Sequence, residues 1–249
     1  MAAAGNRMTG AEPEIRLSPH HNTDLLAKVY ARFGRIHIGD LLREEDARRI
    51  HDALVNRTPW NLTIIHNDLV YDVTPEQYAA MSEEQIGAMD AEVISFARKQ
   101  YEGRYRTLRL SDHGESFAGN IPEFVALTKF LNGEEFLTFI RKITGNATAA
   151  CTDAQATCYW PGDFLHPHYD TQTEKSRLFA YVMNLSPKWN VEWGGLLGFI
   201  DRDSHLAEAY TPKWNALNLL DVRLYHYVSH VAPFADARRY SITGWIRRR

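Results

Sequence analysis

Residues 158–171 read Cys158-Tyr-Trp-Pro-Gly-Asp-Phe-Leu-His-Pro-His-Tyr-Asp-Thr171, and the reading of this stretch decides the fold. A β-prone run, Ala154–Trp160, leads into it, Pro161 and Gly162 turn the backbone, and a histidine and an aspartate two residues apart close it. Alternate residues of an extended chain face one side, so His168 and Asp170 can grip the same ion. The texture around the stretch is uniform from Ala147 onward. Short β-branched and aromatic runs, Ala154–Trp160, Arg177–Leu185, Leu196–Ile200, Ala216–Leu220, Leu224–Val231 and Tyr240–Arg247, alternate with turn residues. Many short strands with turn signals predict a sandwich or double-sheet jelly roll.

The chain before Ala147 reads differently. Leu42, Ala47, Ile50, Ala53 and Leu54 recur at helical spacing, acidic residues come early and Arg57 late, and Pro59 ends the pattern. Trp60–His66 and Leu69–Tyr71 are β-prone. A long helix is expected from Thr74-Pro75-Glu76 to about Gln100, followed by helices over Pro122–Leu131 and Glu134–Ile143 that Gly133 and Gly145 terminate. Residues 1 to about 25 are small and polar, hold the pair His20-His21 and a second methionine, Met8, and read as a flexible tail. The expected organisation is thus an α+β protein with a mainly β core. One domain spans 26–249, with a helical buttress over about 40–145 packed on a jelly-roll core over about 147–249. No internal repeat or low-complexity linker divides it.

Composition narrows the function. The chain has 249 residues, 45% hydrophobic and 24% charged, which excludes disorder and small disulfide scaffolds. A formal charge of -3 lacks the basic excess of a bulk nucleic-acid binder. The two cysteines, Cys151 and Cys158, have the spacing of neither a redox pair nor a thiolate zinc site, so imidazole and carboxylate must hold any metal. No apolar run is long enough for a membrane span and no signal peptide is evident, so a cytoplasmic location is expected.

Phosphate-loop, dinucleotide and nucleophile-elbow motifs are missing, and Gly114-Glu-Ser116-Phe-Ala-Gly119 has the wrong glycine spacing for the last. Three histidines have a carboxylate two residues on: His66/Asp68, His113/Glu115 and His168/Asp170. In so histidine-rich a chain one pair is no evidence, and context selects His168/Asp170. Some fifty residues later His226 and His230 lie on a predicted strand, and Arg239 and Ser241 lie on the last one. Two histidines and one carboxylate with open positions form the facial triad of non-haem Fe(II) oxygenases. A dicarboxylate chelating such a metal needs its far end neutralised, which a guanidinium does bidentately.

With these residues in place, the stretch from about Phe130 to Arg249 resembles the iron and 2-oxoglutarate dependent oxygenases of the prolyl 4-hydroxylase type. The nearest subgroup contains the ribosomal-protein prolyl hydroxylases. Four motifs carry the resemblance, in order: Tyr159 with Gly162-Asp163 and His168-x-Asp170; Trp189 with Gly194-Gly195-x-Leu197; His226-x-Val228-x-x-Val231; and Arg239-x-Ser241-Ile-x-Gly-Trp245. The resemblance implies a double-stranded β-helix, a jelly-roll variant. It implies that His168, Asp170 and His226 hold Fe(II), and that Arg239 pairs with the distal carboxylate of 2-oxoglutarate, with Ser241 and Tyr159 as donors. Asn184 stands where the family often has tyrosine, so that contact is altered or supplied by a neighbour. His230 is a rival to His226 because the gap from His226 to Arg239 is long, but the H-x-V-x-x-V frame favours His226. His166 is expected in a loop at the mouth, Arg238 in solvent, Arg247-Arg-Arg249 at a charged end, and Trp160, Trp189 and Trp245 in core packing.

The activity implied is hydroxylation of an unactivated C–H bond, in a prolyl residue, an amino acid or a small metabolite, with release of succinate and CO2. Fe(II) is the metal, 2-oxoglutarate and O2 are co-substrates, and ascorbate is an optional addition. Asp170 argues against halogenation, which needs that position vacated for a halide. Partners are a small-molecule, peptide or protein substrate, without a membrane, and the oligomeric state is open. The alternatives are a non-catalytic metal-binding jelly-roll module, against which Arg239 and Ser241 argue, and a nucleic-acid demethylase, disfavoured by the charge.

Overall fold

The computed structural model describes residues 13–112, 115–116, 119–171 and 176–248. Its helices are α1 (Thr23–Phe33), α2 (Glu44–Asn56), α3 (Pro75–Ala79), α4 (Glu83–Ala97), α5 (Pro122–Leu131) and α6 (Glu134–Thr144). The strands of the front half are β1 (Arg35–Ile38), β2 (Asn61–His66), β3 (Leu69–Val73), β4 (Glu102–Asp112) and β5 (Glu115–Ser116). Those of the back half are β6 (Cys151–Thr152), β7 (Ala154–Tyr159), β8 (Phe164–His168), β9 (Arg177–Asn184), β10 (Leu197–Ile200), β11 (Leu206–Tyr210), β12 (Ala216–Asp221), β13 (His226–Val228) and β14 (Arg239–Arg247). None of the described helices is long and apolar enough to cross a membrane.

The strands pair antiparallel in the order β1-β12-β9-β14-β7-β4-β8-β13-β10-β11, with the β2–β3 hairpin joined to β4. This is the jelly-roll core the sequence predicts. Alternation along β9 separates its two faces. Phe179, Tyr181 and Met183 face a large outer core shared with Ile50 and Leu54 of α2, Phe124 and Leu127 of α5, and Phe136 and Ile140 of α6. Ala180 and Val182 face inward, towards Leu197, Phe199, Leu220 and Trp245. Across the interior, Tyr105, Tyr159, Val228 and Val231 form the opposite lining. The helices therefore buttress one wall of the barrel and leave its interior to strand side chains.

The front half is less helical than its sequence texture implies. The long helix expected from Thr74 to Gln100 is two helices, because two capping boxes occur in succession: Thr74 with Gln77, then Ser82 with Gln85. Ser82 takes an extended conformation (φ -73°, ψ 161°) and so breaks the first helix. Strand β4 falls inside the stretch expected to be buttress, yet it lies between β7 and β8 at the centre of the barrel. Its alternate charged residues hide it. Glu102, Arg104 and Arg106 are buried, and ion pairing rather than apolarity makes their burial tolerable.

The tail also ends earlier than expected. Ile15 is buried, Leu17 bridges to Leu42, Asn22 caps α1 through Leu25 N–H, and β1 pairs with β12. Residues 1–12, His113 and Arg249 lie outside the described residues. In the back half, the strand expected over Leu224–Val231 is only His226–Val228, because its flanks turn to bond Asp221 and Leu196. Strands β8 and β11, absent from the sequence reading, complete the sheet.

Asp163 ties the turn between β7 and β8 to the rest of the barrel. Its carboxylate accepts from Arg104, from Arg106 (2.6 Å) and from Trp160 N–H (2.7 Å), and its carbonyl accepts from Val231 N–H (2.9 Å). The carboxylate is fully buried, so removing it leaves Arg106 without a carboxylate and Arg104 with Asp90 alone. Asp163→Ala is expected to lower the unfolding free energy by about 3–5 kcal/mol in denaturant titration. A loss under about 1 kcal/mol would show that the cluster relaxes into solvent.

Candidate metal centre

β8 ends and β13 begins at the same level of the barrel, and their register sets His168 opposite His226. Asp170 follows β8, its N–H held by Val222 carbonyl (3.1 Å). Each histidine is oriented by backbone: His168 Nδ1 donates to His166 carbonyl and His226 Nδ1 to Leu224 carbonyl, both at 2.9 Å. A carbonyl can only accept, so each Nδ1 carries a proton and each neutral ring has its lone pair on Nε2. His226 Nε2 is 3.3 Å from one Asp170 oxygen and His168 Nε2 is 3.9 Å from the other. The three ligand atoms lie within 4.8 Å of one another, and no other such group of three occurs among the described residues.

Two imidazole nitrogens and a carboxylate oxygen gathered this closely form a set that can hold a cation. Burial pushes the Asp170 carboxyl up, but His226 and His168 outweigh it and hold it down at about 2. Burial pushes His168 down, helped by the charge of His226, whereas burial of His226 is outweighed by Asp170 and its pKa is raised. Two neutral imidazoles and one carboxylate on one side of the ion fit Fe(II) with positions left open.

A second imbalance lies deeper. Arg239 is 1% exposed, and no carboxylate of the described residues lies within ion-pair reach of it. Its Nε has no hydrogen-bond partner, and burial pushes its pKa down. An unpaired buried guanidinium is costly, and an anionic ligand would offset that cost. Ser241 and Thr157 share a hydroxyl hydrogen bond (2.7 Å) in the next row. Beside Ser241, Asn184 donates weakly to Ala216 carbonyl (3.4 Å) and leaves its own Oδ1 unpartnered. The Arg239 guanidinium carbon is 5.0 Å from the Tyr159 ring. Arg239, Ser241, Tyr159 and Asn184 therefore gather in one buried polar region.

Comparison with known proteins agrees with this geometry. The family model of the 2OG-Fe(II) oxygenase superfamily matches residues 154–247. The stranded half of the chain is thus similar to the 2OG-Fe(II) oxygenase domains that this model describes. The chain is 25% identical over 219 residues to mouse prolyl 3-hydroxylase OGFOD1, which covers 83% of this chain and 38% of that protein. With the Xenopus laevis protein of the same name it shares 28% over 120 residues, 45% of this chain and 23% of that one. The chain thus spans well under half the length of the curated relatives it matches. Among solved structures, a Pseudomonas putida prolyl-4-hydroxylase superposes with TM-score 0.58 at 15% identity, covering 91% of this chain and 99% of that one. A prolyl hydroxylase from Trichoplax adhaerens, in complex with a hypoxia inducible factor peptide fragment, gives 0.56 at 16%, covering 91% and 89%. At these identities the superpositions establish the fold.

Other residues singled out in the sequence fall outside this cluster. His230 is exposed and stacks on Phe164 (5.9 Å, 22°), away from the cluster. His166 Nδ1 lies 3.2 Å from Gln100 carbonyl. His66 pairs with buried Glu102 (2.8 Å) instead of Asp68, which sits in an exposed turn. Arg238 is exposed as expected, though it packs over Trp160. One residue beside the cluster was missed. Arg177 lies 3.4 Å over the Trp245 ring and donates to Asp170 carbonyl (3.3 Å), and burial pushes its pKa down to about 10. Nothing in the local sequence marks Arg177, because only the barrel brings the two strands together.

The glycine pair has a clear purpose. Gly194 has φ +67°, and a Cβ there would sit 2.1 Å from His230 carbonyl oxygen. At Gly195 a Cβ would lie 3.3 Å from Arg239 Cδ and 3.1 Å from Trp189. Gly194→Ala is expected to cost about 2 kcal/mol or more, read as a lowered melting temperature. An unchanged melting temperature would mean that the turn re-forms without a left-handed residue.

Proposed function

We propose that this protein is an Fe(II)- and 2-oxoglutarate-dependent dioxygenase that hydroxylates a prolyl residue of a peptide or protein. The observation that carries the reading is the pairing, inside one barrel, of an open two-histidine, one-carboxylate cluster with a buried arginine that has no anion. A merely structural metal would need no such arginine, and a net charge of -3 disfavours a nucleic-acid substrate. When bound, Fe(II) with 2-oxoglutarate reduces O2, so that the co-substrate becomes succinate and CO2 and one oxygen atom enters a C–H bond of the substrate.

His168, Asp170 and His226 would hold the metal from one side, and the carbonyls of His166 and Leu224 keep both imidazoles turned towards it. Arg239 would take the far carboxylate of 2-oxoglutarate, with Ser241, Tyr159 and Asn184 around it. Salt bridging in that dry interior is strong and directional, so the co-substrate is oriented before reaction. Trp245, backed by Arg177 beside Asp170, offers a flat, partly polar wall suited to a pyrrolidine ring and its peptide carbonyl. Phe199, whose ring centroid is 6.4 Å from that of His226, and Tyr101, 5.9 Å from His168, exclude water from the centre. The names of the relatives support prolyl hydroxylation. We place this work in the cytoplasm, in keeping with two cysteines whose spacing is that of neither a redox pair nor a thiolate metal site.

Three measurements test the reading. Succinate release should depend on an added prolyl peptide, whose product gains the mass of one oxygen atom; loss of two hydrogens or of a methyl group would replace hydroxylation by desaturation or demethylation. His226→Ala should abolish Fe(II) binding while His230→Ala retains it, and the reverse would transfer the ligand role. Arg239→Ala should weaken 2-oxoglutarate by at least about tenfold, since hydrogen bonds to charged groups contribute about 1.5–3 kcal/mol, with iron affinity little changed. Equal loss of both would make the arginine structural.

A further inference from the structure

The surroundings of Arg239 are unequal on its two sides. Along one row of the barrel wall, Tyr159 of β7 is the register partner of Arg239 of β14. Tyr105 of β4 lies one step beyond the Arg106↔Cys158 pair, which sets it opposite Tyr159. The two phenol rings are parallel, 5.0 Å apart at 8°, and both are buried. Tyr105, Tyr159 and the guanidinium therefore form a stack of planar groups across three strands. The adjacent row, Thr107, Thr157, Ser241 and Asn184, holds only small polar side chains that can rotate. On its other flank the Arg239 stem lies against the bare backbone of Gly195.

An arginine stem is long and flexible, so a guanidinium at its end holds a fixed depth only if stem and head are both confined. Gly195 lies against the stem at Cδ. The Tyr159 ring lies beside the head, 5.0 Å from its carbon, and Tyr159 is kept from swinging by the parallel ring of Tyr105. A ligand held at one end by the metal and at the other by Arg239 must match the distance between them. A wall that cannot yield turns this match into selection by chain length.

We propose that Tyr105 is a positioning residue that fixes the depth of Arg239 through Tyr159, and so sets the preference for 2-oxoglutarate over longer 2-oxo dicarboxylates. The proposal rests on the reading of Arg239 as the seat of the far carboxylate. The ring does the work, not the hydroxyl.

The test is calorimetric binding of 2-oxoglutarate and of 2-oxoadipate, one methylene longer, to anaerobic Mn(II)-loaded protein, with metal affinity and melting temperature measured alongside. Tyr105→Phe keeps the stack and should bind 2-oxoglutarate within about twofold of wild type. Tyr105→Leu should weaken it by about tenfold, the size of one lost aromatic pair, leave Mn(II) affinity unchanged and bring the two ligands closer in affinity. Tyr105→Met, flexible and of similar bulk, serves if the leucine variant does not fold. An unchanged ratio of the two ligands in the Leu or Met variant overturns the proposal, as does equal weakening by Phe, which would assign the effect to the hydroxyl. A purely structural loss would lower the melting temperature and weaken metal and ligands together without altering their ratio. If wild type binds no 2-oxoglutarate, or Arg239→Ala binds it as well as wild type, the dioxygenase reading fails instead.

Discussion

A guanidinium enclosed in a β-barrel without a carboxylate to meet it is the constraint around which the rest of this structure is arranged. Folding Arg239 into that interior forfeits its hydration, and no described side chain repays the loss. The surroundings accommodate the charge instead of neutralising it. Gly195 gives up its side chain to let the stem pass, Tyr159 offers a ring face, and the polar row of Thr157, Ser241 and Asn184 keeps the neighbourhood hydrophilic. Such an arrangement is conditional on an anion arriving. It contrasts with Asp163 and Asp153, buried carboxylates of the same barrel that already have their arginines.

The metal cluster makes a complementary demand for a cation. His168, Asp170 and His226 come from the mouth end of the strands, and Arg239 lies deeper on the same inner surface. Two opposite electrostatic deficits in one enclosed space describe a bifunctional ligand, anionic at its far end and bridged to a metal at the other. The antiparallel register holds them together. The pair His168↔His226 sets the cation end, and Arg239↔Tyr159 with Ser241↔Asn184 sets the anion end.

How far this was visible in the amino-acid sequence depended on whether a residue's role was local. The six strands anticipated after Ala147 all occur, because each is a short β-branched run between turn residues. The cluster was legible for the same reason: His168 and Asp170 are neighbours in sequence, and the frame around His226 picked out the histidine that lies with them. Strand β4 was hidden because its alternate positions carry Glu102, Arg104 and Arg106, whose burial depends on partners distant in sequence, His66 for the first and Asp163 for the two arginines. Tyr105 was hidden with it. The split between α3 and α4 was legible but missed, since Ser82 and Gln85 spell a second capping box inside an apparently continuous helix. Arg177 left no local trace, because its partner Trp245 is a tertiary neighbour.

The central claim is that one barrel holds iron and a 2-oxo dicarboxylate together, and visible absorption of the anaerobic Fe(II)-loaded protein tests it most directly. Addition of 2-oxoglutarate should produce a weak, saturable charge-transfer band, because chelation through the 2-oxo and adjacent carboxylate oxygens couples ligand to metal. Protein that keeps its iron yet shows no band on adding 2-oxoglutarate would contradict the account.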